Sequence, residues 1–274
     1  MFKIIIMALL IFIGMVGYDN ITDKSQPTTP IQQEQQKTSK HEKSAAMALF
    51  TSLLPPKEEW PSPVHKFYLA FNMDEVIDPI RQNPNWTSLD AMSRDIPQAL
   101  IAIEDHAFYN HGAIAVEGIL RAALANINAG EVVQGGSTLT QQFVKNVFLS
   151  HEQSMERKIE EAVLSLMLED NYSKDEILEL YLNTTYFGAG STGIKQASRT
   201  YFGKAPSALT LAEAAVIASL PYAPTSLNPL ENPEGCKKRQ LLVLAAMHKY
   251  GMINQGQLAE AKAEKIRLTN GTVM

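Results

Sequence analysis

From about Pro97 onward, apolar residues recur at helical spacing between signals that start and stop helices, and no series of alternating strands interrupts them. Pro97 suits the first turn of a helix running through Gln98-Ala99-Leu100-Ile101-Ala102-Ile103. Ser173-Lys174-Asp175-Glu176 is a capping box opening a helix over Ile177 to Leu182, and Thr210-Leu211-Ala212-Glu213 repeats the device before Ala214 to Ala218. Asn183 is placed to terminate its helix, and Gly188, Gly190 and Gly193 mark a loop between helices. Prolines at 61, 63, 79 and 84 predict an extended, loop-rich lead-in. The expected class is all-α, or mainly α.

Ahead of this region the chain changes character. After Met1-Phe2-Lys3, the run Ile4 to Tyr18 carries no charge. As a helix of roughly fifteen residues it spans about 22 Å, short of the roughly 30 Å hydrocarbon core. Met1 and Phe2 can lengthen it while Lys3 reaches the headgroups. A transmembrane anchor and a secretory signal are both open, although no A-x-A-like cleavage site ends the run. Either way the remainder is exported. Residues 19–58 read as a polar linker, 59–266 as the folded domain and 267–274 as a tail. A formal net charge of -5 argues against nucleic acid as the main partner. One cysteine, Cys236, excludes an internal disulfide framework and reads as an ordinary buried thiol.

Four constellations could carry chemistry. Glu104-Asp105, with Phe108 and His111, follows an apolar helical run, so burial and the adjacent Asp105 would both raise the Glu104 pKa toward that of a general base. A solvent-exposed acidic helix end is the alternative. Next, Gly135-Gly136 makes a turn after which Ser137 can cap a helix. Thr138, Gln141, Gln142 and Lys145 then fall on one face, followed by Asn146, and could meet sugar hydroxyls and a phosphate or simply water. No Gly-Lys-Ser/Thr follows the glycines, so this is no P-loop. In the third, Arg157-Lys158-Ile159-Glu160-Glu161 begins a helix apolar on both sides. Ile159, Ala162, Val163, Leu166 and Met167 lie on one side, and Leu164 and Leu168 lie with Glu161 on the other. Glu161 is then a buried carboxylate with a cation one turn before it, either a structural salt bridge or a functional pair. The fourth, Glu179 to Asn183 with the glycine loop after it, reads mainly as scaffold. His106 and His111 lack zinc-ligand spacing. Ile119, Leu120, Ala123, Leu124 and Ile127 share a stripe that fits either a core or a membrane surface.

In this order the motifs resemble glycosyltransferase family 51, the peptidoglycan glycosyltransferases. The matching segments are Ala102 to Asp105 with Phe108 and His111, Gly135 to Asn146, Arg157-Lys158 with Glu161, Ser173 to Asn183, Tyr201-Phe202-Gly203, Leu211 to Pro221, and Asn228-Pro229, Asn232-Pro233 and Arg239. The likeness covers roughly residues 87–262, and its central string, Gln134 to Gln142, is the most specific part. The resemblance implies a lysozyme-like helical lobe and a smaller hydrophobic lobe, near residues 113–134, facing the membrane. It implies polymerisation of lipid II with inversion. Glu104 would be the catalytic base and Glu161 the second essential carboxylate. Asp105, Phe108, His111, Gly136, Ser137, Thr138, Gln141, Gln142, Lys145, Asn146, Arg157 and Lys158 would bind or orient substrate. A divalent cation, Mg²⁺, would assist the leaving pyrophosphate. Lipid II, the glycan strand, the membrane and other wall-synthesis proteins are the implied partners, on the outer side of the cytoplasmic membrane.

Two positions depart from the family pattern. Ala113 stands where glycine is usual, which strains a tight turn if that turn needs positive φ. Gln153 stands where an arginine commonly contacts the pyrophosphate. They motivate an alternative, a catalytically weak, membrane-tethered scaffold that binds lipid II. A lytic enzyme is argued against by the string from Gly135 to Asn146. No Ser-x-x-Lys occurs, so penicillin reactivity is not expected and a monofunctional enzyme is the natural reading, although a truncated bifunctional protein would look the same.

Overall fold

The computed structural model describes residues 68–130, 135–149 and 154–274. The expected anchor, the linker and the 59–67 start of the domain lie outside them, as do Gln134 and Gln153. Ala70–Met274 forms one compact unit. Its α-helices are α1 (Asp74–Arg81), α2 (Asp95–Glu104), α3 (Val116–Ala129), α4 (Leu139–Phe148), α5 (Met155–Asn171), α6 (Lys174–Thr184), α7 (Ile194–Phe202), α8 (Leu211–Ser219), α9 (Pro233–Lys249) and α10 (Gln255–Ala263). Among the described residues the only β pairings are the isolated bridges Tyr186–Thr192 and Arg267–Val273. The fold is all-α.

The centre is a three-helix contact of α2, α8 and α9. Every residue of α8 from Ala212 to Ser219 is buried, and its alanines let both neighbours approach closely. Buried Glu213 is satisfied by the Thr210 amide at 3.0 Å, in the expected capping box, and by Lys204 Nζ at 2.7 Å. Gln240 on α9 donates to the Ala212 carbonyl at 2.9 Å. Cys236 is fully buried, and burial pushes its thiol up to about 11, an inert packing group. A second layer is formed by α4 against α5 and α6. The Ser173–Glu176 capping box opens α6 as its sequence predicts.

Three local expectations are corrected. Pro79 lies inside α1 rather than in an extended lead-in. Its missing amide removes one helical bond, and the helix is tied from outside by an Arg81–Glu176 ion pair at 2.9 Å and by Tyr172 donating to Asp74. Asn183 does not terminate α6, which runs to Thr184. Its side chain instead accepts from the Thr87 amide and donates to the Thr87 carbonyl, both at 2.8 Å, anchoring the segment before α2. Residues 267–274, set apart above as a tail, pack against the domain. Ile266 and Met274 exchange two backbone hydrogen bonds, the Thr269 amide reaches the Tyr201 carbonyl at 3.0 Å, and Leu268 is buried.

The glycine loop behaves as expected. Gly193 has φ 84°, and an added Cβ would lie 2.6 Å from the Asn183 carbonyl oxygen, so no side chain fits. The ambiguity of α3 is resolved too. Val116, Ile119, Leu120, Leu124 and Ile127 are all exposed, Ile127 to 75%. Their side chains form a surface rather than a core contact. No helix among the described residues is long and apolar enough to cross a membrane.

Candidate active site

Glu104 is the last residue of α2, whose Ile96, Ala99, Leu100, Ile101 and Ala102 are buried. The helix therefore delivers its terminal carboxyl from the core to the edge of a cleft. Gln142 Nε2 donates to Glu104 Oε2 at 3.0 Å, and the Tyr181 hydroxyl donates to Gln142 Oε1 at 3.0 Å. Burial pushes the Glu104 carboxyl above the usual carboxylate range. The Gln142 hydrogen bond and the charges of Arg239 and Lys145 pull it back, and Asp105 adds a smaller upward push. Tyr181 is 1% exposed, and burial raises its pKa so that it remains a donor.

Asp105 organises the surrounding chain. Its Oδ1 lies 2.6 Å from His111 Nε2, and its Oδ2 accepts from the Leu139 amide, the first residue of α4, at 3.0 Å. His111 Nδ1 lies 2.6 Å from the Gly112 carbonyl. An acceptor lies at each ring nitrogen, an arrangement that favours the imidazolium, and the Asp105 hydrogen bond holds the His111 pKa above its ordinary value. Phe108 is fully buried beneath Lys174, whose Nζ lies 4.5 Å from the ring centroid, so Phe108 supports the loop from within.

The helix cap differs from expectation. Thr138, not Ser137, is the N-cap of α4, in a full capping box with Gln141. The Thr138 hydroxyl also donates to the Ala113 carbonyl at 2.7 Å. Thr138 and Gln141 are each 2% exposed, and Thr138 is among the residues that line the cleft described below. Gln142 reaches Glu104, while Lys145 and Asn146 are exposed. Ala113 is buried, and Ala189 is the only non-glycine residue at positive φ among the described residues. The alanine therefore strains no turn. Gly136 packs so closely on α3 that an added Cβ would sit 3.0 Å from Ile119 Cα.

On α5, Glu161 is 1% exposed as expected, but its cation is Lys158, three residues earlier, rather than Arg157. Lys158 Nζ also donates to Ser137 Oγ at 3.1 Å, bridging the glycine turn and α5. The buried side of α5 is that of Glu161, Leu164 and Leu168, whereas Ile159 is 55% exposed, so α5 is not apolar-buried all round. Arg157 keeps a buried Nε without a hydrogen-bond partner among the described residues. A cleft of about 320 Å³ has Glu104, Asp105, His111, Arg121, Gly136 and Ser137 in its lining, and none of Arg157, Lys158 or Glu161. Arg121, Tyr181 and Arg239 received no role from sequence. Tyr181 sits in a stretch that reads as scaffold, and only folding brings it to Gln142.

Among the described residues no three His, Cys, Asp or Glu side chains group as a metal cage. Mg²⁺ is commonly held by one or two carboxylates plus substrate phosphates. Glu161 is a carboxylate of the expected type, but it is buried, paired with Lys158 and not part of the cleft lining, which it approaches only through the contact of Lys158 with Ser137.

The cleft thus joins a half-buried carboxyl at a helix end, Glu104, with Asp105, His111, Arg121 and the glycine turn. The transglycosylase family model matches residues 73–248. The chain belongs to this family, the peptidoglycan glycosyltransferases of family 51. It is 41% identical over 194 residues to a Cupriavidus necator protein named "Putative transglycosylase", covering 71% of this chain and 84% of that one. It is 44% identical over 185 residues to penicillin-binding protein 1A of Neisseria flavescens, covering 68% of this chain but 23% of that longer protein. A crystal structure of penicillin-binding protein 1A from Haemophilus influenzae aligns over 48% of this chain and 16% of its own, at 33% identity and a TM-score of 0.34.

Proposed function

We propose that this chain polymerises lipid II into glycan strands, with inversion at C1 of N-acetylmuramic acid and release of undecaprenyl pyrophosphate. The observation that carries the reading is the Glu104 carboxyl, raised in pKa by burial yet drawn toward ionisation by Gln142, Arg239 and Lys145. Glu104 accepts the proton of the acceptor 4-hydroxyl as that oxygen attacks the anomeric carbon, and the bond to the pyrophosphate oxygen breaks. A single displacement needs one base and stabilisation of the departing charge, not a paired carboxylate. Lys145, Lys158 and Arg157, whose Nε has no partner among the described residues, supply cations toward that charge. Where a divalent cation binds, Glu161 is the carboxylate that would hold it, and it would supply positive charge toward the leaving group. Ser137 and Lys158 orient the diphosphate. Asp105, His111, Thr138 and Gln141 position the walls through the hydrogen bonds already described.

The exposed apolar residues of α3 support a membrane-facing role. Arg121 and Val116 of the same helix line the cleft, so a lipid carrier lying along α3 leads toward Glu104. The same reading places the domain on the outer side of the cytoplasmic membrane, tethered by the apolar N-terminal run. The test is polymerisation of labelled lipid II with Mg²⁺ and detergent by wild type and Glu104→Gln. Polymer from wild type, and a rate about 10²–10⁴-fold lower in the variant, is expected. Equal polymer from both would remove Glu104 as the base.

A further inference from the structure

His106 lines the same cleft as Glu104 and Arg121, yet it takes no part in the proton transfer or in holding the walls. It sits in the tight turn that follows α2, closed by the Phe108 amide donating to the Asp105 carbonyl at 2.9 Å. Asp105 is itself held by His111 and by the start of α4, so the backbone entering His106 is fixed. The ring is fixed as well. It stacks on Tyr250, with centroids 4.1 Å apart and planes 14° from parallel. Tyr250 is the C-cap of α9, a helix that packs along both α2 and α8. A side chain of the cleft wall is therefore clamped by the core of the molecule.

The polar edge of that ring is unused. Among the described residues no hydrogen bond reaches either nitrogen of His106. Burial and the charge of Arg121 push its pKa below the ordinary histidine value, against a weaker upward pull from Asp105, so the ring is neutral at neutral pH. A neutral imidazole carries one N–H donor and one bare nitrogen acceptor. That pair suits a hydroxyl or an acetamido group, each of which both gives and takes a hydrogen bond. It suits a diphosphate oxygen poorly, since such an oxygen only accepts and is best met by a cation. Because stacking has already ordered the ring, a ligand loses little in immobilising it. We propose that His106, positioned by Tyr250, is a substrate-contacting residue that hydrogen-bonds an uncharged hydroxyl or acetamido group on the sugar of the bound substrate. That the sugar belongs to lipid II rests on the polymerase reading above, whereas the place of His106 in the cleft rests on geometry.

Full-length wild type, His106→Phe, His106→Ala, Tyr250→Phe and Tyr250→Ala in detergent are compared for equilibrium binding of two labelled ligands. One is lipid II and the other is undecaprenyl pyrophosphate, which has the diphosphate but no sugar. His106→Phe keeps a ring to stack on Tyr250 and removes both nitrogens. It is expected to bind lipid II about tenfold more weakly, the equivalent of about one hydrogen bond, and undecaprenyl pyrophosphate as wild type does. His106→Ala should match it. Tyr250→Phe, which retains the stack, should resemble wild type with both ligands, and Tyr250→Ala should lose about threefold for lipid II alone. Wild-type affinity for lipid II in His106→Phe overturns the contact, and so does an equal loss for the two ligands. A loss in Tyr250→Phe as large as in Tyr250→Ala overturns the positioning by stacking. Polymerisation by the same proteins separates the two readings. His106-dependent binding of lipid II by a wild type that makes no polymer would sink the polymerase and leave the contact standing. Polymer from wild type, with KM unchanged in His106→Phe, would do the reverse, and a wild type that neither binds nor polymerises lipid II overturns both.

Discussion

Glu104 works between two opposing influences. Burial favours its neutral form, and Gln142, Arg239 and Lys145 favour its ionised form. Because the base must be ionised, activity rises as pH climbs through this raised pKa. Arg239→Gln removes one of the charges that lower it, so the acid limb of kcat/KM moves to higher pH, as a pH–rate profile will show. An unmoved limb would mean that the Arg239 field does not reach the base. His111 behaves in the opposite sense. Its folded pKa is raised by Asp105 above an unfolded value of about 6.5. The pair's stabilisation is thus fully present below about pH 6.5 and is lost as pH rises through the higher folded value. Urea denaturation of His111→Gln against wild type should give its largest difference near pH 5.5, about 1–3 kcal/mol, and a smaller one above pH 8.

At the scale of elements, the start of α4 explains much of the motif from Gly135 to Gln142. Its first amide is taken by Asp105, its capping box by Thr138 and Gln141, and its approach to α3 by Gly136. One helix end thereby locks three segments around the cleft. Thr138→Ala loses the cap and strands the Ala113 carbonyl. It should cost about 1–2 kcal/mol of stability by chemical denaturation, whereas Thr138→Ser retains most of it. A loss of activity in Thr138→Ala with unchanged stability would instead point to direct substrate contact. The helix face read from periodicity, with Thr138, Gln141, Gln142 and Lys145 together, divides in the fold. The first two turn inward, Gln142 meets the base, and Lys145 remains in solvent.

For the whole molecule, the exposed stripe of α3 is the feature that core packing does not explain. Replacing Leu120, Leu124 and Ile127 with serine should reduce sedimentation of the protein with anionic lipid vesicles by about tenfold, because each exposed apolar side chain contributes when it leaves water for lipid. The melting temperature should hardly change, since these side chains are not in the core. Vesicle binding equal to wild type would remove α3 from the membrane contact.

The helical class and the two capping boxes at Ser173 and Thr210 were determined by local sequence, whereas burial of Glu161 and the raised pKa of Glu104 were suggested by apolar neighbours and supplied by packing. Helices and caps depend on spacing and neighbouring residues. Tertiary structure alone decided which residues meet. Pairing Tyr181 with Gln142, Arg239 with Tyr222 and Lys158 with Ser137 requires separate segments to converge. Periodicity names the face of a helix, but not what that face opposes. For the same reason, only the folded chain showed that α3 turns its apolar side outward, that Pro79 is carried within a helix tied from outside, and that residues 267–274 close against the domain.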